Sequence, residues 1–252
     1  MRTLTIRGVT LGAGRPKIAV PIVGAARRDI LAEASAVVSL QADLAEWRAD
    51  CYDRLADRDA LRDALRDTLR ALRDALGDTP LLFTVRTKRE GGHADLSPAD
   101  YAALTLAAAE SGCVDLVDVE LSLGREAARA LIGGVHAAGC CAVGSRHDFS
   151  ATPPRPVMEG YLREAQELGA DVPKLAVMAN SDADTLSLLA AAVAFRDSAA
   201  DRPFIAIAMG EHGVLSRIAC GFCGSCLTFG AAEQRSAPGQ LPVAKLRQFL
   251  IL

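Results

Sequence analysis

Asp171-Val172-Pro173-Lys174-Leu175-Ala176-Val177-Met178 is the stretch on which the fold turns. An apolar run of this length, with helical patterns on either side, predicts a parallel strand buried on both faces. Lys174 interrupts it. The chain has four lysines (Lys17, Lys88, Lys174, Lys245) against 24 arginines, so lysine is not its default cation. Burial disfavours the charged form of an amine, and a neutral amine attacks ketones and aldehydes to give a Schiff base. The competing reading sets Lys174 at the strand's rim, snorkelling into water or paired with Asp171. The stretch by itself leaves both open.

Half of the 252 residues are hydrophobic (50%), enough for a sizeable core in one domain. A net charge of −3, with no basic face interleaved with aromatics, argues against nucleic acid as a partner. No apolar run is long enough to cross a bilayer, so no membrane partner is expected. Met1-Arg2-Thr3-Leu4-Thr5-Ile6 alternates like a strand and lacks the apolar centre of a signal peptide, which points to the cytoplasm. Cys220-x-x-Cys223-x-x-Cys226 has the spacing of iron–sulfur or zinc ligands. No fourth cysteine follows shortly, and Cys51, Cys113, Cys140 and Cys141 show no ligand-like pairing. The three are therefore expected to be small apolar fillers, with neither metal nor cofactor. Seven cysteines, an odd number, also argue against a disulfide framework.

Working outward, strand and helix patterns alternate. Thr3–Ile6 and Val9–Leu11 predict a short hairpin with Gly8 at its turn, closing one end of the main repeat. Eight further strands are expected at Ile18–Val23, Asp43–Arg48, Pro80–Arg86, Asp115–Glu120, Cys140–Ser145, Val172–Met178, Phe204–Met209 and Cys223–Phe229. Helices fall between them, and a last one covers Leu246–Leu252. The longest, over 57–76, places Leu61, Leu65, Leu69, Leu72 and Leu76 on one stripe, with Asp59–Arg62, Asp63–Arg66 and Asp67–Arg70 spaced as ion pairs on a solvated face. Ser97-Pro98-Ala99-Asp100 and Ser181-Asp182-Ala183-Asp184 read as helix caps. The pattern spells an α/β fold, a (β/α)8 TIM barrel in a single domain over 1–252, with 1–16 as a hairpin cap.

In such barrels the chemistry lies at the carboxyl ends of the strands. Glu46, Arg48 and Asp50 share one face at a strand end, and three charges against outer helices would be costly, so the lumen is favoured; a structural ion-pair layer is the alternative. Arg86 ends the third barrel strand, followed by Glu90-Gly91-Gly92, whose glycines permit a tightly folded loop. His147 ends the fifth and suits proton transfer near neutrality. His93, His136 and His212 lack such placement and are expected on the surface. Met209 closes the seventh strand, Arg217 follows it, and Ser236-Ala237-Pro238-Gly239-Gln240 forms a polar loop suited to a lid.

These pieces, with Asp118-Val119-Glu120-Leu121, His147-Asp148-Phe149 and Thr228-Phe229-Gly230-Ala231, give the chain a resemblance over essentially its whole length. It resembles the type I 3-dehydroquinate dehydratases, Schiff-base lyases of the shikimate pathway of aromatic amino acid biosynthesis. The resemblance implies that Lys174 forms an iminium with the C3 ketone of 3-dehydroquinate, that His147 moves the protons, and that Glu90 orients His147. It also implies that Arg217, Ser236 and Gln240 hold the substrate carboxylate and that Glu46, Arg48 and Arg86 bind ring hydroxyls, with Met209 beside them. A homodimer without cofactor is implied as well. Three departures from the family stand out, the first being Cys220, Cys223 and Cys226 at positions that are apolar or glycine in relatives, which supports the filler reading. Pro21 stands where a substrate-contacting serine is common, removing a hydroxyl and an N–H, and Ile207 replaces a usual methionine. Three rival functions stay in view, one of them a redox protein built on the cysteine cluster, which would show visible absorbance and bound iron. A class I aldolase-type barrel would need a phosphate cradle after the last strands, where this chain offers Arg217 and a serine–glutamine loop. A non-catalytic sensor of quinate-like ligands would not need Lys174, His147 and Glu90 together.

Overall fold

Lys174 lies on the inner face of a closed ring of strands. The computed structural model describes residues 2–56, 61–232 and 236–250. β1 (Leu4–Ile6) and β2 (Val9–Leu11) pair antiparallel across Arg7 and Gly8, both of which have positive φ (45° and 82°). Two left-handed residues suit a tight hairpin turn with the twist its strands need. The chain then alternates: β3 (Lys17–Ile22), α1 (Arg27–Ser39), β4 (Leu44–Arg48), α2 (Leu61–Leu76), β5 (Leu81–Thr84), α3 (Pro98–Ala109), β6 (Leu116–Glu120) and α4 (Arg125–Ala137). It continues through β7 (Cys141–Asp148), α5 (Arg155–Glu167), β8 (Val172–Met178), α6 (Asp182–Ser198), β9 (Ile205–Met209), α7 (Val214–Ile218), α8 (Cys220–Cys223) and β10 (Leu227–Ala231). β11 (Leu241–Pro242) and α9 (Val243–Phe249) follow.

Strands run β11-β10-β3-β4-β5-β6-β7-β8-β9, every neighbouring pair parallel. β9 and β10 close the barrel at the single bridge Phe204–Ser225, where the Cys226 N–H donates to the Phe204 carbonyl at 2.8 Å. The wall β3–β10 is thus an α/β TIM barrel.

Period two decides what fills it. Ala19, Leu44, Leu82, Leu116, Val143, Val172, Ile205 and Leu227, one from each strand, form an inner apolar cluster with Ile6 and Leu11 of the hairpin. The hairpin therefore plugs the amino end of the barrel. Two residues further along, five of the strands present Glu46, Thr84, Asp118, Ser145 and Lys174, all buried. The lumen turns from hydrocarbon to charge within one layer. Outside, Trp47, Phe83, Val117 and Val119 pack against helices in a second cluster, to which α2 contributes Leu65, Leu69, Leu72 and Leu76.

Strand register is pinned by a device that repeats every second strand. Asp43, Asp115 and Asp171, just before β4, β6 and β8, accept the backbone N–H of Ile18, Leu81 and Ala142 in the preceding strands at 2.8–2.9 Å. Ser225 does the same before β10, taking the Ala206 N–H at 3.0 Å. Asp171 Oδ2 is thereby occupied, and His136 Nε2 meets the same oxygen at 2.8 Å. The reading that paired it with Lys174 is wrong, because residues three apart on a strand face opposite ways.

Both expected caps form: Ser97 Oγ accepts the Asp100 N–H, and Ser181 with Asp184 makes a reciprocal capping box. Several details differ from expectation. β5 stops at Thr84, where its pairing with β4 ends, so Arg86 lies two residues beyond the strand rather than at its end. β10 starts at Leu227 instead of Cys223 because Cys220–Cys223 closes a helical turn ended by left-handed Gly224. β7 extends to Asp148, three residues beyond the expected end, by continuing its ladder with β8 to Val177. α9 begins at Val243, directly after Pro242, rather than at Leu246. Asp63, Arg66, Asp67 and Arg70 are exposed, and among the described residues they make no ion pairs with one another. The expected start of the long helix at 57, Asp59 of the Asp59–Arg62 pair and the last two residues lie outside the described residues. No helix among the described residues is long and apolar enough to cross a membrane.

Pro21 sits in β3 without disrupting the sheet. The Lys17 N–H points to β10, so Pro21, four residues on, would direct its missing N–H the same way, but the β3–β10 pairing ends at Ala19. The aspartate pins are expected to matter for stability. Asp115 also holds Arg73 at 3.0 Å and Arg7 at 2.6 Å, so Asp115→Ala should lower unfolding free energy in urea by about 2 kcal/mol while leaving turnover within twofold. A change below about 0.5 kcal/mol would show that the register does not depend on it.

Candidate active site

The carboxyl end of the barrel holds a cavity of about 470 Å³, including its open mouth. Its wall brings together Glu46, Arg48, Arg86, His147, Lys174, Met209, Arg217, Ser236 and Gln240, nine of the ten residues singled out in the sequence. Glu90 stands behind His147. Phe149, Ala176, Ile207, Phe229 and Ala237 complete the lining.

Lys174 is buried, its side chain 5% exposed, so the rim reading fails. The nitrogen is nonetheless accompanied. Nζ lies 3.6 Å from Glu46 Oε1 and 3.5 Å from Asp118 Oδ2, and 4.7 Å from the centre of the Phe229 ring. Asp118 is fixed in turn by Arg86 Nη2 at 2.8 Å and Ser145 Oγ at 2.6 Å. Burial pushes the Asp118 carboxyl up, but Arg86 and Lys174 outweigh it and hold the group far below the usual carboxylate range. Glu46 accepts the Thr84 hydroxyl at 3.0 Å.

On the adjacent strand, His147 Nδ1 meets Glu90 Oε2 at 2.8 Å, and the same oxygen accepts the His147 backbone N–H at 3.0 Å. Burial, with Arg86 and Lys174 adding like charge, holds the imidazole well below its ordinary value. The ring is neutral at pH 7, and a carboxylate at Nδ1 selects the tautomer that leaves Nε2 as the acceptor. Burial pushes the Glu90 carboxyl above its ordinary range, opposed by Arg86 at 3.5 Å. The glycine pair is explained by this packing. Gly91 has φ +79°, and a Cβ there would collide with Phe149, whose ring stacks on His147. A Cβ on Gly92 would strike the Arg86 carbonyl.

The other cations differ in how they are compensated. Arg48 makes a two-pronged bond to Asp50, both contacts 2.8 Å, so the structural ion-pair reading holds for this pair even though Arg48 reaches the cavity. Arg86 Nη1 donates to Glu120 at 2.9 Å and Ser145 at 3.0 Å, and Nη2 to Asp118 at 2.8 Å, while the side chain still lines the cavity. Arg217 is 1% exposed, yet among the described residues no carboxylate pairs with it and its Nε lacks a hydrogen-bond partner. Only the Phe229 and Pro238 carbonyls receive it, at 3.5 and 2.9 Å. Burial lowers its pKa to about 10, still a cation at neutrality. The loop beside it folds on itself: Gln240 donates to Ser236 Oγ and takes the Ser236 N–H, both at 2.9 Å. Left-handed Gly239 lies against the Gly210 backbone, too close for a side chain.

Cys220, Cys223 and Cys226 face three different apolar clusters, so their thiols do not converge. Burial pushes Cys220 and Cys226 up to about 12, which suits fillers and disfavours thiolate ligands. Asp50, Cys51 and His93 approach one another within 4.8 Å. The Asp50 oxygens are taken by Arg48 and two backbone N–H groups, and burial raises Cys51 to about 11, so this set is poorly suited to a cation. His93, His136 and His212 are exposed, as expected.

The family model for type I 3-dehydroquinase matches residues 18–252. The chain belongs to the type I 3-dehydroquinase family. It is 43% identical over 249 residues to the 3-dehydroquinate dehydratase of Bacillus licheniformis, covering 99% of this chain and 96% of that one. It is 41% identical over 252 residues to that of Salmonella paratyphi B, covering 100% and 98%. Among solved structures, the type I 3-dehydroquinate dehydratase of Clostridium difficile with covalently modified comenic acid superposes with a TM-score of 0.94 at 38% identity, over 99% and 97% of the two chains. The enzyme from Geobacillus kaustophilus superposes equally well, with a TM-score of 0.94 at 37% identity over 99% and 95%.

Within this type I 3-dehydroquinase site, three residues had no assigned part in the sequence reading: Asp118, Glu120 and Ser145. Asp118 and Glu120 alternate inward at the end of β6 as Glu46 and Arg48 do on β4, so the same period-two signal marked them. Ser145 lies two residues before His147 on the same face. The charge state of His147 is directly observable. In nitrogen-resolved NMR its ring should stay neutral, with the proton on Nδ1, from pH 8 down to pH 6. Because the unfolded imidazole binds a proton below about 6.5 and the folded one does not, this group should also cost stability as pH falls through that value. A protonated His147 at pH 7 would contradict the geometry.

Proposed function

We propose that this chain dehydrates 3-dehydroquinate to 3-dehydroshikimate by a syn elimination that runs through an iminium on Lys174. The observation that carries it is a buried lysine nitrogen sharing one cavity with a neutral imidazole and a buried guanidinium that no carboxylate pairs with among the described residues. Arg217, with Ser236 and Gln240 of the loop beside it, takes the substrate carboxylate, whose planar oxygens match the guanidinium fork. The ring then lies across the lumen with its C3 ketone toward Lys174.

The Lys174 amine adds to C3 and water leaves, giving the iminium. This cation draws electron density from the neighbouring carbon, so His147 Nε2 removes a C2 proton and an enamine forms. The enamine pair returns toward C2 and C1 and expels the C1 hydroxyl, which departs as water with the proton His147 carries. Water then hydrolyses the conjugated iminium, restoring the amine; the net change is the loss of one water. His147 thus serves as base and then as acid on one face of the ring, and Glu90 keeps its tautomer through both steps. Glu46 and Arg48 meet the ring hydroxyls. Arg86 lines the cavity with three of its five N–H groups bonded to the protein, so it can meet a ring hydroxyl as well, and it places its charge beside Asp118 and His147.

Borohydride with 3-dehydroquinate should add a ligand-sized mass to the wild-type chain, and Lys174→Ala should abolish it. His147→Ala should keep the adduct while turnover falls at least about a hundredfold. An unmodified wild-type mass would refute the imine route, and near-normal turnover of His147→Ala would point to a different base.

A further inference from the structure

Asp118 has no part in the reaction as written above, yet its carboxylate is fixed against the reacting nitrogen. Oδ2 lies 3.5 Å from Lys174 Nζ and takes Arg86 Nη2 at 2.8 Å, while Oδ1 accepts the Ser145 hydroxyl at 2.6 Å. These two donors come from β5–α3 and β7, on either side of β6, so the carboxylate is held from both flanks. Glu46, the other carboxylate beside the amine at 3.6 Å, is bonded by the neutral Thr84 hydroxyl. Asp118 is completely enclosed, its side chain 0% exposed, so water does not screen what it does to its neighbour.

We propose that Asp118 is a catalytic residue: the fixed counter-anion that keeps the Schiff-base nitrogen of Lys174 protonated through the elimination. The assignment rests on the imine reading above. An imine is an electron sink only as the iminium, and in a water-poor lumen a bare imine nitrogen loses its proton unless a negative charge stands beside it. Asp118 takes and gives no proton; it supplies a charge already in place when the cation forms, without reorganisation. The charged and titratable groups around this nitrogen are Glu46 and Arg48 from β4, Arg86 beyond β5, Asp118 from β6, His147 from β7 and Arg217 from α7, while β9 and β10 present Ile207 and Phe229. Two anions therefore face the nitrogen among several cations, and Asp118 is the better anchored of the two.

The isosteric Asp118→Asn separates this role from a packing role. With the anion gone, the iminium should lose its proton at lower pH, so the alkaline limb of kcat for Asp118→Asn should move down by about one to three pH units relative to wild type. At pH 8 kcat should fall about a hundredfold with KM within threefold, and part of the loss should return at pH 6. Borohydride trapping should follow the same course, near wild-type yield at pH 6 and at least tenfold less at pH 8. A folded Asp118→Asn, checked by its melting temperature, whose kcat profile parallels that of wild type would overturn the assignment. Should Asp118→Asn fail to fold, Ser145→Ala, which frees Oδ1, should shift the limb in the same direction by less, and an unmoved limb there overturns it equally. Wild type without an adduct at any pH would remove the imine reading and this assignment together; a wild-type adduct with unmoved variants removes only the latter.

Discussion

The constraint on which the site depends is the burial of one guanidinium. Arg86 is 3% exposed and bridges Asp118, Glu120 and Ser145, with Glu90 3.5 Å away. Burial alone would push the group down, but these carboxylates more than restore it. Its charge then dictates the states of its neighbours. Asp118 stays ionised, Glu90 and Glu120 are pulled back from the rise that burial imposes, and His147 is kept neutral. Removing one partner of such a cluster leaves an uncompensated buried charge, so the arrangement is stable only as a whole.

The fold makes that cluster tolerable by confining it to one layer. Below it the lumen is hydrocarbon, sealed by the β1–β2 hairpin, and around it the strand backbones are locked in register by Asp43, Asp115, Asp171 and Ser225. A one-residue slip of any strand would exchange its inner charges for outer apolar side chains. The pins at the amino ends of the strands thus secure geometry several residues away, where Glu46, Asp118 and Lys174 must meet within 4 Å.

Much of this was legible in the sequence because period two and the barrel's polarity together settle which residues face the lumen. Glu46 and Arg48 follow from the period, His147 from its place at a strand's carboxyl end, and Lys174 from being the one charge in an apolar run. Asp118 and Glu120 obey the same rule but sit in a run, Leu116-Val117-Asp118-Val119-Glu120, that also reads as an ordinary amphipathic strand. Their meaning comes only from Arg86, 32 and 34 residues away in the chain. The pairing of Lys174 with Asp171 failed for a local reason, since a separation of three is a neighbour on a helix and an opposite face on a strand. The Cys220-Cys223-Cys226 spacing misleads similarly. It spans a helical turn and the approach to a strand, so the thiols fan out into three clusters. The self-bonding of Ser236 and Gln240 left no trace in sequence, because loop hydrogen bonds follow no period.

Lys174 and Arg217 occupy the same cavity at similar depth and are treated in opposite ways. Lys174 is given two carboxylates; Arg217 is given none among the described residues and must make do with the Phe229 and Pro238 carbonyls. A buried cation with an orphaned Nε is costly, and a carboxylate arriving from solvent relieves that cost. Under the proposed reading, attraction therefore acts at the carboxylate, two carbons from the ketone and itself unchanged by the reaction, and the amine, already compensated, gains nothing until the ketone is placed against it. Binding energy collected at Arg217 can then be used to orient C3 rather than to hold the reacting centre in its ground state.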